Sequence, residues 1–174
     1  MKTYFDGAGF SAEKIAVQQF KGKLVTDKAS QYKDIDAVLP TKKGVWNTVS
    51  IKDQLWSSKK FGGIQIETEL VNTRNGKTME GCFYKNESVM YFWRVWTEQY
   101  GDTWFIVKSS VLKEYVEKHK STLKTWQTQQ KTEAKNRSYN RAFDRAKGCT
   151  LWVKDIIHLG QLKPVQGGKK PNEV

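Results

Sequence analysis

Two neighbouring runs of apolar and aromatic residues, SVMYFWRVWTEQ at 88–99 and TWFIVK at 103–108, most constrain how this chain can fold. Only the short YGD segment separates them. Val, Phe, Tyr and Trp in runs of this length are typical of β-strands, and short breaks between such runs are typical of turns. We therefore predict two apolar strands joined by a turn.

Three more strands are predicted upstream of this pair. DIDAVLP at 34–40 is short, apolar around its acid and ended by a proline, and VWNTVSIKDQ at 45–54 is predicted to pair with it as a hairpin. IQIETEL at 64–70 alternates apolar and polar residues with the period of a strand. WSSKKFGG at 56–63, rich in Ser, Lys and Gly, is predicted to be a basic loop.

Helices are predicted at both ends of this set of strands. Residues 9–24 show apolar residues at helical spacing with Ser11 as a cap, and residues 109–120 do the same with Ser109 or Ser110 as the cap. A length of 174 residues fits a single domain of ordinary size. The order of elements predicts an α/β (α+β) domain with a central mixed β-sheet flanked by helices.

The basic and acidic residues are distributed unevenly along the chain, so that its first two thirds and its last third differ in net charge. The net charge is +12, with 18 basic and 14 acidic residues in 1–119 but 12 basic and 4 acidic residues in 120–174. We predict a core at 1–120, a basic extension at 121–165 that returns to the core, and a flexible tail at 166–174. Such a balance favours a polyanionic partner, DNA or RNA, although surplus lysine that serves only solubility is the alternative.

Several classes of function have little support in the sequence. Cys82 and Cys149 are too few for a disulfide scaffold, and His119 and His158 have no catalytic or zinc-ligand spacing around them. Nucleotide-binding glycine motifs are absent from the sequence. Without an apolar leader or a long apolar run, the expectation is a cytoplasmic protein with no membrane partner, in the host cytoplasm if a phage encodes it.

Three charged residues on the predicted strands point to phosphodiester chemistry. Asp36 interrupts an apolar run, while Lys52 and Glu67 each follow an isoleucine and point away from it. Phosphodiester hydrolysis needs a divalent metal held by carboxylates and gains from a nearby lysine. If their three strands are neighbours, these residues share one surface. The alternative is an ordinary cross-strand pair of Lys52 and Glu67 on a solvated face, worth about 0.2–1 kcal/mol.

The order of a helix, IDAVL, VSIK, an acid-bearing strand and a second helix resembles the core of the PD-(D/E)XK nuclease superfamily, which has the restriction-endonuclease-like fold, over residues 11–119. That superfamily places an Asp at the start of one strand and a (D/E)-x-Lys motif on the next, around one or two Mg²⁺ ions. Asp36 matches the first acid and Lys52 the motif lysine, with Ile35 in place of the nominal proline. The resemblance implies a nuclease-like core at 1–120.

One position departs from that pattern. Ser50 stands two residues before Lys52, where the superfamily has an acid, and a hydroxyl does not supply the charge of a carboxylate. Either the second acid has moved or the fold is no longer catalytic. Glu67 is the expected substitute, with Glu69 and Asp34 as further candidates.

Additional residues complete the predicted site. Glu13 is a candidate metal-binding acid on the first helix, or an acid that favours the helix dipole, and Gln54 is a candidate neighbour of the metal shell. Lys59 and Lys60 would hold the DNA backbone, with Trp56 or Phe61 available to stack on a base, unless this is an ordinary exposed hairpin. A stripe of basic residues at about i, i+4 spacing on one face of a helix would contact successive phosphates, and it consists of Arg137, Arg141, Arg145 and Lys147. The alternative is that these residues are solvated surface charge.

These observations lead to one expected function and two alternatives. We expect a Mg²⁺- or Mn²⁺-dependent endodeoxyribonuclease, small enough to be phage-encoded, in which Asp36 and Glu67 bind the metal and Lys52 lies near the attacking water. DNA is the expected partner, and double-strand cleavage would favour a homodimer. The alternatives are a non-catalytic nucleic-acid-binding or interaction protein on a degenerate nuclease scaffold, and a basic protein that blocks a host protein.

Overall fold

The computed structural model describes residues 4–128 and 145–173, with side chains from residue 12 onward. Within these ranges the helices are α1 (Tyr4–Phe20), α2 (Lys28–Tyr32), α3 (Leu55–Phe61), α4 (Cys82–Lys85), α5 (Ser109–His119) and α6 (Val153–Ile156), the last followed by a 3₁₀ turn at Ile157–Leu159. The strands are β1 (Lys23–Leu24), β2 (Ala37–Pro40), β3 (Trp46–Asp53), β4 (Gly63–Val71), β5 (Thr78–Glu80), β6 (Met90–Thr97), β7 (Gly101–Lys108), β8 (Lys124–Gln127), β9 (Arg145–Trp152) and β10 (Gln161–Pro164).

The strands form two sheets. The large sheet has the order β1-β2-β3-β6-β7-β10, and the small sheet has the order β5-β4-β9-β8. The β3–β6 pair is parallel, with Lys52 opposite Trp93, whereas the other pairs of the large sheet are antiparallel. A parallel pair requires a crossover connection, and here α3, the β4–β5 hairpin and α4 supply it. The structure thus confirms an α+β fold with a central mixed sheet flanked by helices.

The β6–β7 hairpin is buried on both faces of the large sheet. On one face Phe92, Trp104 and Ile106 belong to a core with α1, β2 and β3. On the other face Tyr91 and Trp93 belong to a core with the small sheet, α5 and α6. Adjacent residues of a strand point to opposite faces, so one apolar hairpin supplies both cores. The central position of the hairpin explains why its sequence carries apolar residues on both faces.

Helix α1 is fixed against the large sheet by packing and by one glutamine. Ala12 and Ala16 are fully buried in the core that α1 covers. Gln19 Oε1 accepts from Trp104 Nε1 at 2.9 Å, and Gln19 Nε2 donates to the carbonyl of Pro164 at 2.9 Å. No helix within residues 4–128 and 145–173 combines the length and apolarity that crossing a membrane requires.

The helix caps predicted at Ser11 and at Ser109 or Ser110 are wrong, because Ser11 lies inside α1 and Lys108 is the cap of α5. Three further predictions of local structure are wrong, and the first concerns residues 56–63. Instead of a loop, residues Leu55–Phe61 form α3, because tertiary contacts hold a turn of helix there. Ser58 Oγ donates to the carbonyl of Gln54 at 2.7 Å and accepts from the backbone N–H of Trp96 at 2.8 Å. Gly62, with φ of 72°, ends the helix in the left-handed conformation that glycine tolerates.

The other two corrections concern strand neighbours and the basic stripe. The strand that carries Glu67 lies in the small sheet, paired with β5 and β9, so it is a neighbour of neither β2 nor β3, and Asp36 lies just before β2. Arg145 and Lys147 lie on strand β9 and not on a helix, since β9 pairs with β4 through both residues. Arg137 and Arg141 lie outside the described residues. The division into core, extension and tail stays a prediction.

The pairing of β4 and β9 depends on the lack of a side chain at Gly148. Gly148 lies opposite Glu67, and a Cβ on Gly148 would fall 2.6 Å from Trp126 Cε2 and inside contact distance of the carbonyl oxygen of Ile66. Trp126 is itself held by a hydrogen bond from its Nε1 to the carbonyl of Cys149 at 3.2 Å. The Ile66 carbonyl belongs to the backbone of β4, so it cannot move away without disturbing the pairing of β4 with β9.

We therefore predict that Gly148→Ala lowers the free energy of unfolding by about 1–3 kcal/mol, the usual cost of overpacking. Urea denaturation followed by Trp fluorescence measures the change. Lys147→Ala is the matched control, because its exposed pair with Glu69 contributes at most about 1 kcal/mol. Equal stability of Gly148→Ala and wild-type protein would contradict the proposed packing.

Candidate active site

The site begins with the orientation of side chains at the end of β3. Val49 and Ile51 pack into the core that α1 covers. Because side chains alternate along a strand, Ser50 and Lys52 point to the opposite face of the large sheet. Ser50 is fully buried there, whereas the Lys52 side chain is 32% exposed. The lysine thus lies at the edge of the protein interior, where it can contact both buried groups and a ligand.

Asp34 and Asp36 bracket Lys52 from the segment before β2. Asp34 accepts hydrogen bonds from Lys52 Nζ and, at 2.8 Å, from Ser50 Oγ. Asp36 Oδ2 accepts from the backbone N–H of Ile51 at 2.6 Å and lies 3.7 Å from Lys52 Nζ. One ammonium group therefore contacts two carboxylates, both of which are largely buried.

The backbone conformation of Asp34 makes this arrangement possible. Helix α2 ends at Tyr32, and Asp34 follows with φ of 58°, in the left-handed region. Its N–H donates to the carbonyl of Gln31 at 3.0 Å, which completes the turn after the helix. Asp and Asn tolerate this conformation better than other non-glycine residues. The helix end thus turns the chain so that two aspartates, two residues apart, both reach β3.

The electrostatic balance of the cluster favours a protonated Lys52 and disfavours an ionised Asp36. Burial lowers the pKa of Lys52, but the charges of Asp34 and Asp36 outweigh it and raise that pKa well above its ordinary value. Burial raises the pKa of Asp36, and the charge of Asp34 raises it further, against the opposing effect of Lys52. The cluster carries more negative charge than one ammonium neutralises.

Glu13 of α1 belongs to the same electrostatic group. Burial raises its pKa, and the charge of Asp36 is the next largest cause, followed by the opposing charge of Lys52. Glu13 thus lies within the field of the Asp36 carboxylate, and its role as a metal-binding acid stays a prediction. Its coupling to Asp36 is the reason to consider the two carboxylates together.

Glu67 lies on β4, next to the start of α4. Its Oε1 accepts from the backbone N–H of Cys82 at 3.2 Å, at the N-terminus of that helix. Burial raises the pKa of Glu67, the hydrogen bond from Cys82 opposes this, and the charge of Asp34 raises it again. The charge of Asp34 is therefore the largest charge that acts on the pKa of Glu67. The largest charges that act on the pKa of Asp36 are those of Lys52 and Asp34.

The remaining predicted residues lie around α3 and β9. Gln54 precedes α3, where its Oε1 accepts from Ser57 Oγ at 3.0 Å and its Nε2 donates to the carbonyl of Gln65 at 3.4 Å. Lys59 and Lys60 are exposed on α3. Lys147 Nζ lies 3.4 Å from Glu69 Oε2, so its charge is partly offset. The roles of these residues in binding stay predictions.

Asp34 is the residue whose importance the sequence conveyed least. It was only one of several candidates for a displaced acid, because its side-chain direction depends on a left-handed residue that no local pattern reveals. The signal that the sequence offers is spacing. Asp34 and Asp36 are two residues apart, as are Ser50 and Lys52, and the two pairs lie on adjacent antiparallel segments. Ser50 lacks the carboxylate of the (D/E)-x-Lys pattern, but it donates to one.

The donor set fits a magnesium ion only in a limited form. No group of three or more His, Cys, Asp or Glu side chains in residues 4–128 and 145–173 is arranged to hold a metal. Mg²⁺ is commonly bound by one or two carboxylates, with waters and substrate phosphates as its other ligands. Asp36 and Glu13 are carboxylates whose charges act on one another, and a metal held by such a pair stays a prediction.

Comparisons with known proteins give one structural similarity. No family model matches the chain, and no curated protein matches it. Among solved structures, the bacterial homing endonuclease I-Ssp6803I is similar, with a TM-score of 0.45 and 17% sequence identity over 65% of this chain and 74% of that chain.

We predict that Asp34→Asn destabilises the protein by about 1–3 kcal/mol, between the values for exposed and buried ion pairs. The amide still accepts from Ser50 and tolerates a left-handed backbone, but it leaves Lys52 with Asp36 alone. Urea denaturation measures the change. Asp27→Asn is the control: Asp27 caps α2 through a 2.8 Å hydrogen bond, and Asn caps equally well. Equal effects of the two substitutions would contradict the Lys52 pairing.

We also predict that Glu13→Gln raises stability at neutral pH, by up to about 1 kcal/mol. The pKa of Glu13 is raised above 4.5 in the folded state, so the ionised form is disfavoured there. The resulting cost is absent below the unfolded pKa, grows as pH rises through the folded pKa, and is complete above it. Thermal unfolding in EDTA at pH 4 and pH 7.5 should show a gain only at pH 7.5. A constant gain would indicate a cause other than charge.

Proposed function

We propose that this protein is a Mg²⁺- or Mn²⁺-dependent endodeoxyribonuclease whose site contains Asp36, Lys52 and a second carboxylate. The observation that carries the proposal is the Lys52 ammonium, which contacts Asp34 and Asp36 at the end of β3 and is partly exposed. Two of the residues that contact one another there, Asp36 and Lys52, are the ones that match the PD-(D/E)XK pattern. An ordinary solvated cross-strand pair places a lysine beside one exposed acid, whereas Lys52 contacts two largely buried acids.

The metal would be held by Asp36 together with Glu13 or Glu67. Electrostatic coupling favours Glu13, because Asp36 is the strongest charge acting on it, whereas Glu67 is coupled to Asp34. When bound, the metal supplies Lewis-acid polarisation of a phosphoryl oxygen and a lowered pKa of its water. The hydrogen bond from Ile51 N–H fixes the Asp36 carboxylate before any ligand arrives.

Lys52 would act as a fixed positive charge and not as a base. Its raised pKa keeps a proton on Nζ at neutral pH, so it can donate hydrogen bonds but cannot accept a proton. A partly exposed ammonium held by two carboxylates is preorganised to stabilise charge that develops on a phosphate oxygen or to orient the attacking water. Asp34 would position it, since Asp34 accepts from Lys52 Nζ and its other oxygen is bonded to Ser50.

DNA would be held mainly by basic residues outside this cluster. The net charge of +12 provides non-specific attraction, because every neutralised phosphate releases condensed counterions. Lys59 and Lys60 lie on the helix that directly follows β3, close in sequence to Lys52. The sequence-based proposal adds Arg137, Arg141, Arg145 and Lys147 as backbone contacts. Cleavage of both strands would favour a two-fold dimer of this chain.

A non-catalytic nucleic-acid-binding protein is the second candidate, and one observation favours it. Asp34 occupies both of its oxygens with Ser50 and Lys52, and a three-ligand metal group is absent from the described part of the chain. In that case the Lys52 cluster is a stabilising ion pair inherited from a nuclease scaffold. The binding surface would then be retained without hydrolysis.

Cleavage of supercoiled plasmid DNA in Mg²⁺ or Mn²⁺ tests the proposal. We predict that Asp36→Asn and Lys52→Ala each reduce the nicking rate by at least about 100-fold, the usual loss when a preorganised charge is removed. Glu13→Gln and Glu67→Gln, compared side by side, identify the second carboxylate by the larger loss. Glu87→Gln, which removes an exposed acid paired with Lys33, is the control and should cleave at the wild-type rate.

Two outcomes decide against the proposal. Wild-type protein that binds DNA but never nicks it in either metal would establish the non-catalytic alternative. Full activity of Lys52→Ala would show that hydrolysis, if present, occurs at a different site. Circular dichroism of each variant separates loss of activity from loss of fold.

A further inference from the structure

Helix α3 exposes two large aromatic rings. Trp56 is 67% exposed and Phe61 is 55% exposed, and their rings meet edge to face with centroids 5.4 Å apart. By contrast, Trp93 and Trp104 are among the most deeply buried side chains. An exposed pair of aromatic rings costs solubility and adds nothing to the core, so a contact with another molecule is the physical reason to consider for it.

The helix that carries these rings is held rigidly from its other side. Ser58 is buried and bonded to the backbone at both Gln54 and Trp96. Asp53 Oδ1 accepts from the N–H of Leu55 at 3.1 Å, and Gln54 N–H donates to the carbonyl of Arg94 at 2.9 Å. The rings therefore project from a helix whose start is tied to the strand that bears Lys52. A contact made with a rigid helix loses little conformational freedom.

Positive charge accompanies the rings. Lys60 Nζ lies 5.0 Å from the ring centroid of Trp56 and 5.2 Å from that of Phe61, and Lys59 Nζ lies 4.4 Å from that of Trp96. Among the ion pairs of the described residues, neither lysine is matched with a carboxylate. The surface thus combines flat apolar rings with uncompensated cations, which complements a chain of flat bases joined by phosphates.

We propose that the exposed face of α3, formed by Trp56, Lys60 and Phe61, is a stacking platform for unpaired bases of a DNA strand. Bases inside a duplex already stack on each other, so an exposed ring gains most from a base that is unpaired. This inference rests on the proposed DNA substrate but not on its cleavage. It predicts that the protein prefers single-stranded, gapped or locally opened DNA next to the Lys52 cluster.

Fluorescence anisotropy in EDTA tests the platform without cleavage. The probes are a labelled single strand of mixed sequence and the blunt duplex of the same length. We expect Trp56→Ala to weaken single-strand binding by about 5- to 150-fold, the range for loss of one stacked base, and to change duplex binding less than about two-fold. Phe61→Ala should act in the same direction.

Trp46→Ala is the matched control. Trp46 is also exposed, at 48%, and also has a lysine near its ring, with Lys23 Nζ 5.3 Å from the centroid, but it lies at the opposite end of β3 from Lys52. It should bind both probes as wild-type protein does. Lys60→Gln should reduce the slope of log affinity against log salt by roughly 1, whereas Trp56→Ala should leave that slope unchanged.

Three results would overturn the platform. The first is that Trp56→Ala weakens binding of the single strand and of the duplex equally, and the second is that it leaves single-strand binding unchanged. The third is that Trp56→Ala converts a dimer to a monomer, which would make α3 a contact between copies of the chain. A protein that loses single-strand affinity in Trp56→Ala yet never nicks plasmid would retain the platform and lose the nuclease proposal. Plasmid nicking with unchanged single-strand binding in Trp56→Ala would do the reverse.

Discussion

The double burial of the β6–β7 hairpin is the constraint on which the rest of the structure depends. Its two faces contribute to different cores, one under α1 and the other under the small sheet. Because β3 pairs in parallel with β6, the end of β3 is positioned by a largely buried strand. Lys52 lies opposite Trp93 in that pairing, so the charged cluster rests on a rigid support.

A second support holds β3 at its last residue. Arg94 makes a two-point contact with Asp102, with Nε–Oδ1 at 2.9 Å and Nη2–Oδ2 at 2.6 Å, and its Nη1 lies 3.4 Å from Asp53 Oδ2. Bidentate pairs of this kind restrict orientation more than a single contact does. This ion pair joins β3, β6 and β7 next to Lys52, without contributing a group to the cluster itself. Apolar packing and a buried ion pair therefore position the same strand end.

Sequence patterns predicted the elements well where one dominant signal was present. The apolar hairpin, the period-two strand 64–70 and the helix after residue 108 were recognisable because each depends on its own residues. The prediction was wrong where contacts between residues far apart in the sequence decide the local structure. Helix α3 depends on the hydrogen bond from the Trp96 N–H to Ser58, and β4 joins the small sheet because it pairs with β9, which is distant in the sequence. The motif singles out Asp36 and Lys52, which lie close together in the structure, whereas the contact of Asp34 depends on a left-handed turn.

Asp34 supplies negative charge beside Lys52, on the side where Ser50 carries none. Ser50 is fully buried and cannot carry a charge, yet its hydroxyl donates to Asp34, whose other oxygen accepts from Lys52. The negative charge thus comes from the adjacent segment, and the serine fixes its orientation. A single acid at position 50 would supply both a negative charge near Lys52 and a free carboxylate oxygen. Asp34 supplies the charge, but both of its oxygens already accept hydrogen bonds. Under the proposed function, a metal at this cluster would therefore be held by Asp36 together with an acid from another element, Glu13 of α1 or Glu67 of β4.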